Sequence, residues 1–236
     1  MSITNKIRRR GFIGRIVGAA AAAGLPIGVV PAAAQQAGPD DWIKEVKGTH
    51  RCLFDFPKHM NFFAQLHILN YLNTYNQAYK TQPGQVGAVG TLYSLGPGSS
   101  IALGFNDSIW SKYALGEYHG LKDKSGKPYA YNVFNRPTKD DLHLVIAALG
   151  GPNIPALADF MPLMGIENLQ KMGTKFILCN NALGAWCLEL EARGKGKAAD
   201  IEKDLRANLL PGVTIVPAMV IAIDKAQEAG IKYNRQ

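Results

Sequence analysis

The sequence has no pair of histidines at H-x-x-x-H spacing and no C-x-x-C. Neither a helix-borne metal site nor a dithiol redox motif is therefore written into it. Its five histidines, His50, His59, His67, His119 and His143, are scattered. A metal centre would have to be assembled by folding, for instance from Asp55, His59 and Cys179, and no metal or other cofactor is expected. There is no internal repeat and no sign of a second domain. Gly96-Pro-Gly98-Ser-Ser100 has neither the lysine of a P-loop nor a full G-x-G-x-x-G, so it reads first as a turn. The alternative is a cradle of N–H groups and hydroxyls for an oxyanion such as thiosulfate, with Ser99 among its donors.

Acidic residues are missing from residues 1–34, which hold Lys6, Arg8, Arg9, Arg10 and Arg15. Without those five positives, the 26 Lys and Arg fall to 21 against 18 acidic side chains. The formal charge of +8 thus shrinks to about +3, which gives no reason to expect a nucleic-acid partner. Arg9-Arg10-Gly11-Phe12-Ile13-Gly14 resembles a twin-arginine export motif. It is followed by an Ala- and Gly-rich run from Ile16 to Val30 and by small residues at Pro31–Ala34. That run is about fifteen residues and contains Pro26, short of the roughly 20 needed to span a bilayer. The expectation is a cleaved leader over 1–34, a linker over 35–47, export to the periplasm and no membrane anchor after cleavage.

Cysteine is scarce: Cys52, Cys179 and Cys187 are the only three. An odd number cannot all pair within one chain, so at least one is free or bridges elsewhere. Cys179 and Cys187 would lie about 12 Å apart along a helix at 1.5 Å per residue, too far for a disulfide. Cys52 sits mid-strand and reads as a small buried hydrophobe.

With 47% hydrophobic residues, the chain has enough apolar material for a globular core. The pattern predicts strands at 49–54, 86–93, 175–179, 213–216 and 231–233. Helices are expected at 61–79 with Asn61 as N-cap, 101–105, 109–115, 140–150, 156–172 with a break at Gly165, 181–192, 198–209 and 217–229. Asn106 and Asp107 are cap candidates, and Tyr129–Phe134 is either a short strand or irregular. Trp110, Tyr113 and Tyr118 read as core or subunit interface. Alternating strands and helices imply an α/β fold, a three-layer α/β/α sandwich around a mostly parallel sheet spanning 48–236.

The stretch that organises the rest is Lys175-Phe-Ile-Leu-Cys179-Asn-Asn-Ala182. A buried strand runs directly into a helix, placing Cys179 at the carboxyl edge of the sheet, where open α/β folds bind ligands. Helix N–H groups beside it favour a thiolate. The same edge collects Asp55 and His59 after the first strand, Ser94–Ser100 after the second, and Asn180 and Asn181 beside the cysteine. His59 is the candidate to accept the thiol proton or orient a substrate. Asp55, Ser99, Asn180 and Asn181 are the candidate substrate-binding residues. The competing reading is a strand-end cysteine packed and inert.

Phe176-Ile-Leu-Cys179-Asn-Asn-Ala182, the strand Pro211-Gly-Val-Thr-Ile-Val-Pro217 and the terminal Ala226-Gln-Glu-Ala-Gly-Ile-Lys-Tyr233 together resemble the DsrE/DsrF-like family. The leader points to its exported branch, and the resemblance covers roughly residues 48–234. It implies a three-layer α/β/α domain assembled as trimers or hexamers. It also implies a sulfur-carrying cysteine at Cys179, with small sulfur species or a sulfur-carrier protein as partners. The function expected is binding or relay of sulfane sulfur on Cys179. A non-catalytic periplasmic binding or assembly subunit on the same scaffold is the alternative.

Overall fold

In the computed structural model, which describes residues 38–236, five strands form one all-parallel sheet. They are β1 (His50–Asp55), β2 (Val86–Leu92), β3 (Thr174–Cys179), β4 (Thr214–Val216) and β5 (Lys232–Arg235). Their order across the sheet is β4-β3-β2-β1-β5. The chain steps outward from β1 to β4, then returns across the sheet to place β5 on the far side of β1. The reversal of direction therefore falls between β1 and β5. All seven residues of β2 are buried, as expected of the middle strand in a sheet covered on both sides.

The two faces follow from the period of two along each strand. Phe54, Ala88, Leu92, Phe176 and Leu178 point into the larger apolar cluster. This layer holds α2 (Phe63–Ala78), α3 (Asp107–Lys112), α4 (Leu115–His119), α5 (Leu142–Leu149), α6 (Ile166–Lys171), α7 (Asn180–Ala192) and α8 (Ala198–Ala207). Leu53, Val89, Ile177, Cys179 and Val216 point the other way. That face is covered by α9 (Met219–Glu228) and by the short α1 (Trp42–Glu45). The architecture is thus the α/β/α sandwich expected, with one thick and one thin helical layer.

Several local expectations needed correction. The second half of the stretch read as linker packs on the sheet, where Trp42 and Val46 are buried. Asn61 is not the N-cap of a helix over 61–79. Met60–Phe62 is a 3-10 turn in which Met60, Asn61 and Phe62 all have positive φ, and α2 starts only at Phe63. The side chain that accepts from the Asn61 N–H is His59. The first half of 156–172 is 3-10 (Pro155–Phe160 and Pro162–Met164), and only Ile166–Lys171 beyond Gly165 is α-helical. Two prolines remove N–H donors from that segment, which explains why no long helix forms there. Asn106 does cap α3, accepting from Ser108 and Ile109. Residues 129–134 are irregular, and Trp110 and Tyr113 are core while Tyr118 packs against it. The leader over 1–34 lies outside the described residues. No helix among the described residues is long and apolar enough to cross a membrane.

Candidate functional site

β3 passes into α7 with no intervening loop, which makes Cys179 both the last residue of the strand and the N-cap of the helix. Its Sγ accepts the N–H of Ala182, from the first turn of α7, at 3.4 Å. It also accepts the N–H of Met219, the first residue of α9, at 3.3 Å. Two helix N-termini therefore converge on one sulfur atom. Such N–H groups have no partner within their own helices, and both carry the positive end of a helix dipole. For a sulfur anion, they replace the water that burial removes, since Cys179 is only 5% exposed.

α9 is held at its other end as well. The Arg51 guanidinium donates to the Ala229 carbonyl at 2.6 Å, a cation at the helix C-terminus. The helix thus spans the thin face from the carboxyl end of β3 to β1, which fixes the Met219 N–H against Cys179.

The other two cysteines differ in kind. Cys52 and Cys187 are buried in the larger cluster, and burial pushes their thiols up to about 11 and about 12. Neither ionises near neutral pH. All three cysteines are free.

Asp55 lies on the same face and at the same edge, two strands away. Its carboxylate accepts the Thr91 hydroxyl at 3.2 Å and the Tyr233 hydroxyl at 2.8 Å, and it lies close enough to Tyr93 to act on that hydroxyl. Burial first, and the Asp55 carboxylate second, push the Tyr93 hydroxyl well above the usual tyrosine range. Tyr93 is one step past the Leu92–Leu178 pair of β2 and β3, level with Cys179. A row of Cys179, Tyr93, Asp55 and Tyr233 therefore crosses the carboxyl edge from β3 to β5. It ends at β5, beside β1, where the strand order reverses.

His59 is not part of that row. Its ring lies against His119, with centroids 5.5 Å apart, and against Phe134 at 4.9 Å. Phe134 belongs to the thick-layer cluster, whereas Cys179 belongs to the thin-layer one. His59 Nδ1 already accepts the Asn61 N–H at 3.1 Å, so a neutral ring carries its proton on Nε2 and has no free lone pair. Burial, with the Lys58 charge second, lowers its imidazolium to about 4. The expected role as proton acceptor for Cys179 does not fit this placement. The three consecutive left-handed residues that follow His59 are the kind of backbone strain that clusters at ligand sites.

The 96–100 loop offers no backbone cradle. Gly96 N–H donates to Glu189 Oε2 at 3.1 Å, Gly98 N–H to His119 Nδ1 at 2.9 Å, Ser99 N–H to the Gly96 carbonyl and Ser100 N–H to the Pro57 carbonyl. The protein's own Glu189 takes the anion's position. Burial alone raises that carboxyl, but Arg193, Tyr118 and the Gly96 N–H together hold it below its usual value. Ser99 is fully buried, and its hydroxyl has no partner. Asn180 is tied to α8 through Arg206, and Asn181 is exposed on the first turn of α7. Among the described residues, no group of three His, Cys, Asp or Glu is placed to hold a metal.

His119, Tyr93, Tyr233 and the Met219 N–H escaped the sequence. His119 has no partner at a readable spacing. Only the short final strand hinted that Tyr233 would reach the edge. Comparison with protein-family models, with curated proteins and with solved structures finds no match to this chain. Fold and site together define an open parallel α/β protein with a strand-end cysteine gripped by two helix N-termini.

Proposed function

We propose that this is an exported sulfur-handling protein of the DsrE/DsrF-like kind, which binds or relays sulfane sulfur on Cys179 in the periplasm. The observation that carries the reading is the pair of N–H groups, from Ala182 and Met219, directed at the Cys179 Sγ. They suit a thiolate before transfer and the sulfur of a persulfide after it. In the step itself, the Cys179 thiolate attacks the sulfane sulfur of a polysulfide or of thiosulfate. An S–S bond forms to Cys179 while the donor's S–S bond breaks, and a shorter polysulfide or sulfite leaves with the electron pair. Attack by an acceptor thiolate on the outer sulfur then releases Cys179 unchanged. At 5% exposure, the sulfur suits a small anionic donor better than a protein thiol. Tyr93 and Asp55 share the carboxyl edge with it, and His59 has no part in the step. The test is sulfur added to Cys179 on exposure to polysulfide, read by mass and absent in Cys179→Ala.

That same low exposure favours a second reading, a non-catalytic binding or assembly subunit in which Cys179 only joins β3 to α9. Val220 and Ile221, 74% and 52% exposed at the start of α9, offer an apolar contact for a homo-oligomer such as a trimer or hexamer. On this reading light scattering finds an assembly that loses its subunits in Val220→Lys, and Cys179 takes up no sulfur.

A further inference from the structure

A cleft of about 630 Å³ opens on the thick helical layer, across the sheet from Cys179. Its lining comes from α5, from the 3-10 turns Lys139–Asp141 and Pro155–Phe160, and from Lys124. The sequence explains the opening. Gly150 ends α5 in a left-handed conformation, with φ of 60°, and Gly151-Pro152 takes the chain out of the helix. Pro155 then starts a 3-10 turn in which no residue is buried. That turn stands beside α5 without sealing against it. Leu142, Ile146, Ala147, Pro155 and Ala158 supply apolar walls. Ile146 and Ala158 also pack on the larger core, which anchors those walls. A volume of this size, with mostly apolar walls and a few polar groups, is that of a small-molecule site.

The polar groups decide the class of ligand. His143 has no nitrogen to spare: Nδ1 faces the Asp140 carbonyl at 2.9 Å and Nε2 the Lys122 carbonyl at 2.8 Å. It serves as wall and brace, neither as a base nor as a metal ligand. The charged groups of the lining are Lys124, Lys139 and Asp140. Lys124 Nζ donates to Asp140 at 2.6 Å, and Lys139 Nζ donates to Asp159, which lies outside the lining. An ammonium group has three N–H donors, so each lysine keeps two beyond its carboxylate. Both lysine side chains are more than half exposed, which leaves those donors at the mouth of the cleft. Two ammonium groups against one carboxylate leave a net positive charge, and the Asn153 amide adds no charge of its own. A cation would meet both lysines, and a purely apolar guest would leave their donors unused. An apolar body with one negative group matches walls and mouth together.

We propose that this cleft binds a free apolar carboxylic acid of medium chain length, its chain on the walls of α5 and Pro155–Phe160 and its carboxylate on Lys124 and Lys139. The site is separate from Cys179 and independent of any sulfur chemistry there. Octanoate, kept below micelle-forming concentrations, is the probe, and 1-octanol is its uncharged counterpart. The experiment follows the methyl signals of Leu142 and Ile146 by ¹³C-resolved NMR, in the full chain at low salt and near neutral pH. Octanoate should move both saturably while the exposed Val220 and Ile221 methyls stay still. The double variant Lys124→Gln, Lys139→Gln should bind octanoate about fivefold more weakly, the upper range for exposed charge pairs. It should no longer distinguish octanoate from 1-octanol, which the wild type should bind less tightly than the acid. Ala147→Phe, at an exposed position of α5, should fill the cleft and abolish the response. Methyl shifts that do not saturate, or that appear equally at Ile221, overturn the proposal. So does equal wild-type affinity for octanoate and 1-octanol, or an unchanged affinity in the double variant. Unchanged binding in Ala147→Phe places the probe outside the cleft and overturns it as well. If Ala147→Phe does not fold, the methyl map and the double variant decide.

Discussion

The Sγ of Cys179 accepts a hydrogen bond from the Met219 N–H at 3.3 Å, and that contact joins the end of β3 to the first residue of α9. The Ala182 N–H makes the second contact at 3.4 Å. One sulfur atom therefore closes two helix ends, reaching 40 residues along the chain to Met219. This arrangement has structural consequences that do not depend on reactivity.

Replacing Cys179 with alanine leaves the buried Met219 N–H and the part-buried Ala182 N–H without this acceptor. An unsatisfied buried donor costs about 1–3 kcal/mol. Urea unfolding should show Cys179→Ala less stable than wild type by that order. Cys179→Ser keeps an acceptor and should fall in between. Equal stability of Ala and Ser variants would mean that the sulfur contacts contribute nothing.

Gly90 in the middle of β2 has no room for a side chain. A Cβ there would meet Phe176 Cε1 at 2.5 Å. Overpacking a dense core costs about 1–3 kcal/mol, so Gly90→Ala should lower the urea midpoint with an unchanged slope. Gly90 pairs with Phe176 in the ladder that sets Tyr93 level with Cys179.

His59 and His119 give the fold an acid-side weakness. Burial lowers their imidazolium groups to about 4 and about 3 in the folded chain. An unfolded histidine titrates near 6.5, so below that pH the unfolded chain binds more protons than the folded one. Stability should therefore be flat above about pH 7 and fall steadily as the pH drops from about 6.5 towards 3. In His119→Phe the slope of unfolding free energy against pH should shrink by about half. A wild-type slope of zero through pH 6 to 4 contradicts the buried neutral pair.

Much of this molecule is readable in the sequence, and the unread part has a common cause. Strands β1 to β4 and helices α7, α8 and α9 follow from apolar periodicity, because each buries one face against a continuous core. The carboxyl edge, with Asp55, Ser99 and Cys179 near it, follows from the strand order that such a pattern imposes. Which of these residues meet does not. The face a side chain takes is set by single-residue register. Asp55 and Cys179 thus share the thin side, while the chain after Asp55 carries His59 to the thick one. Tyr93 and Tyr233 reach Asp55 through pairing between strands β1, β2 and β5, information that no local window holds. His119 is likewise invisible until α4 folds onto the 96–100 loop.

Asp55 should matter to the sheet edge before it matters to any ligand. It accepts the Thr91 and Tyr233 hydroxyls, and its backbone carbonyl accepts the Gln236 N–H. Asp55→Ala removes the side-chain acceptors and should free β5. Amide exchange at Tyr233 and Arg235 should speed up by at least tenfold, with little change in β3. Unaltered β5 exchange would show that backbone pairing with β1 alone holds the strand.

The central claim is that Cys179 carries sulfane sulfur, and polysulfide treatment followed by peptide-resolved mass measurement tests it most directly. The account predicts the mass of one or more sulfur atoms added to the peptide containing Cys179. None should be added to those containing Cys52 or Cys187, whose thiols burial pushes up to about 11 and about 12. A cyanide wash should remove the added sulfur. A Cys179 peptide of unchanged mass, in protein that is folded and fully reduced, would contradict it.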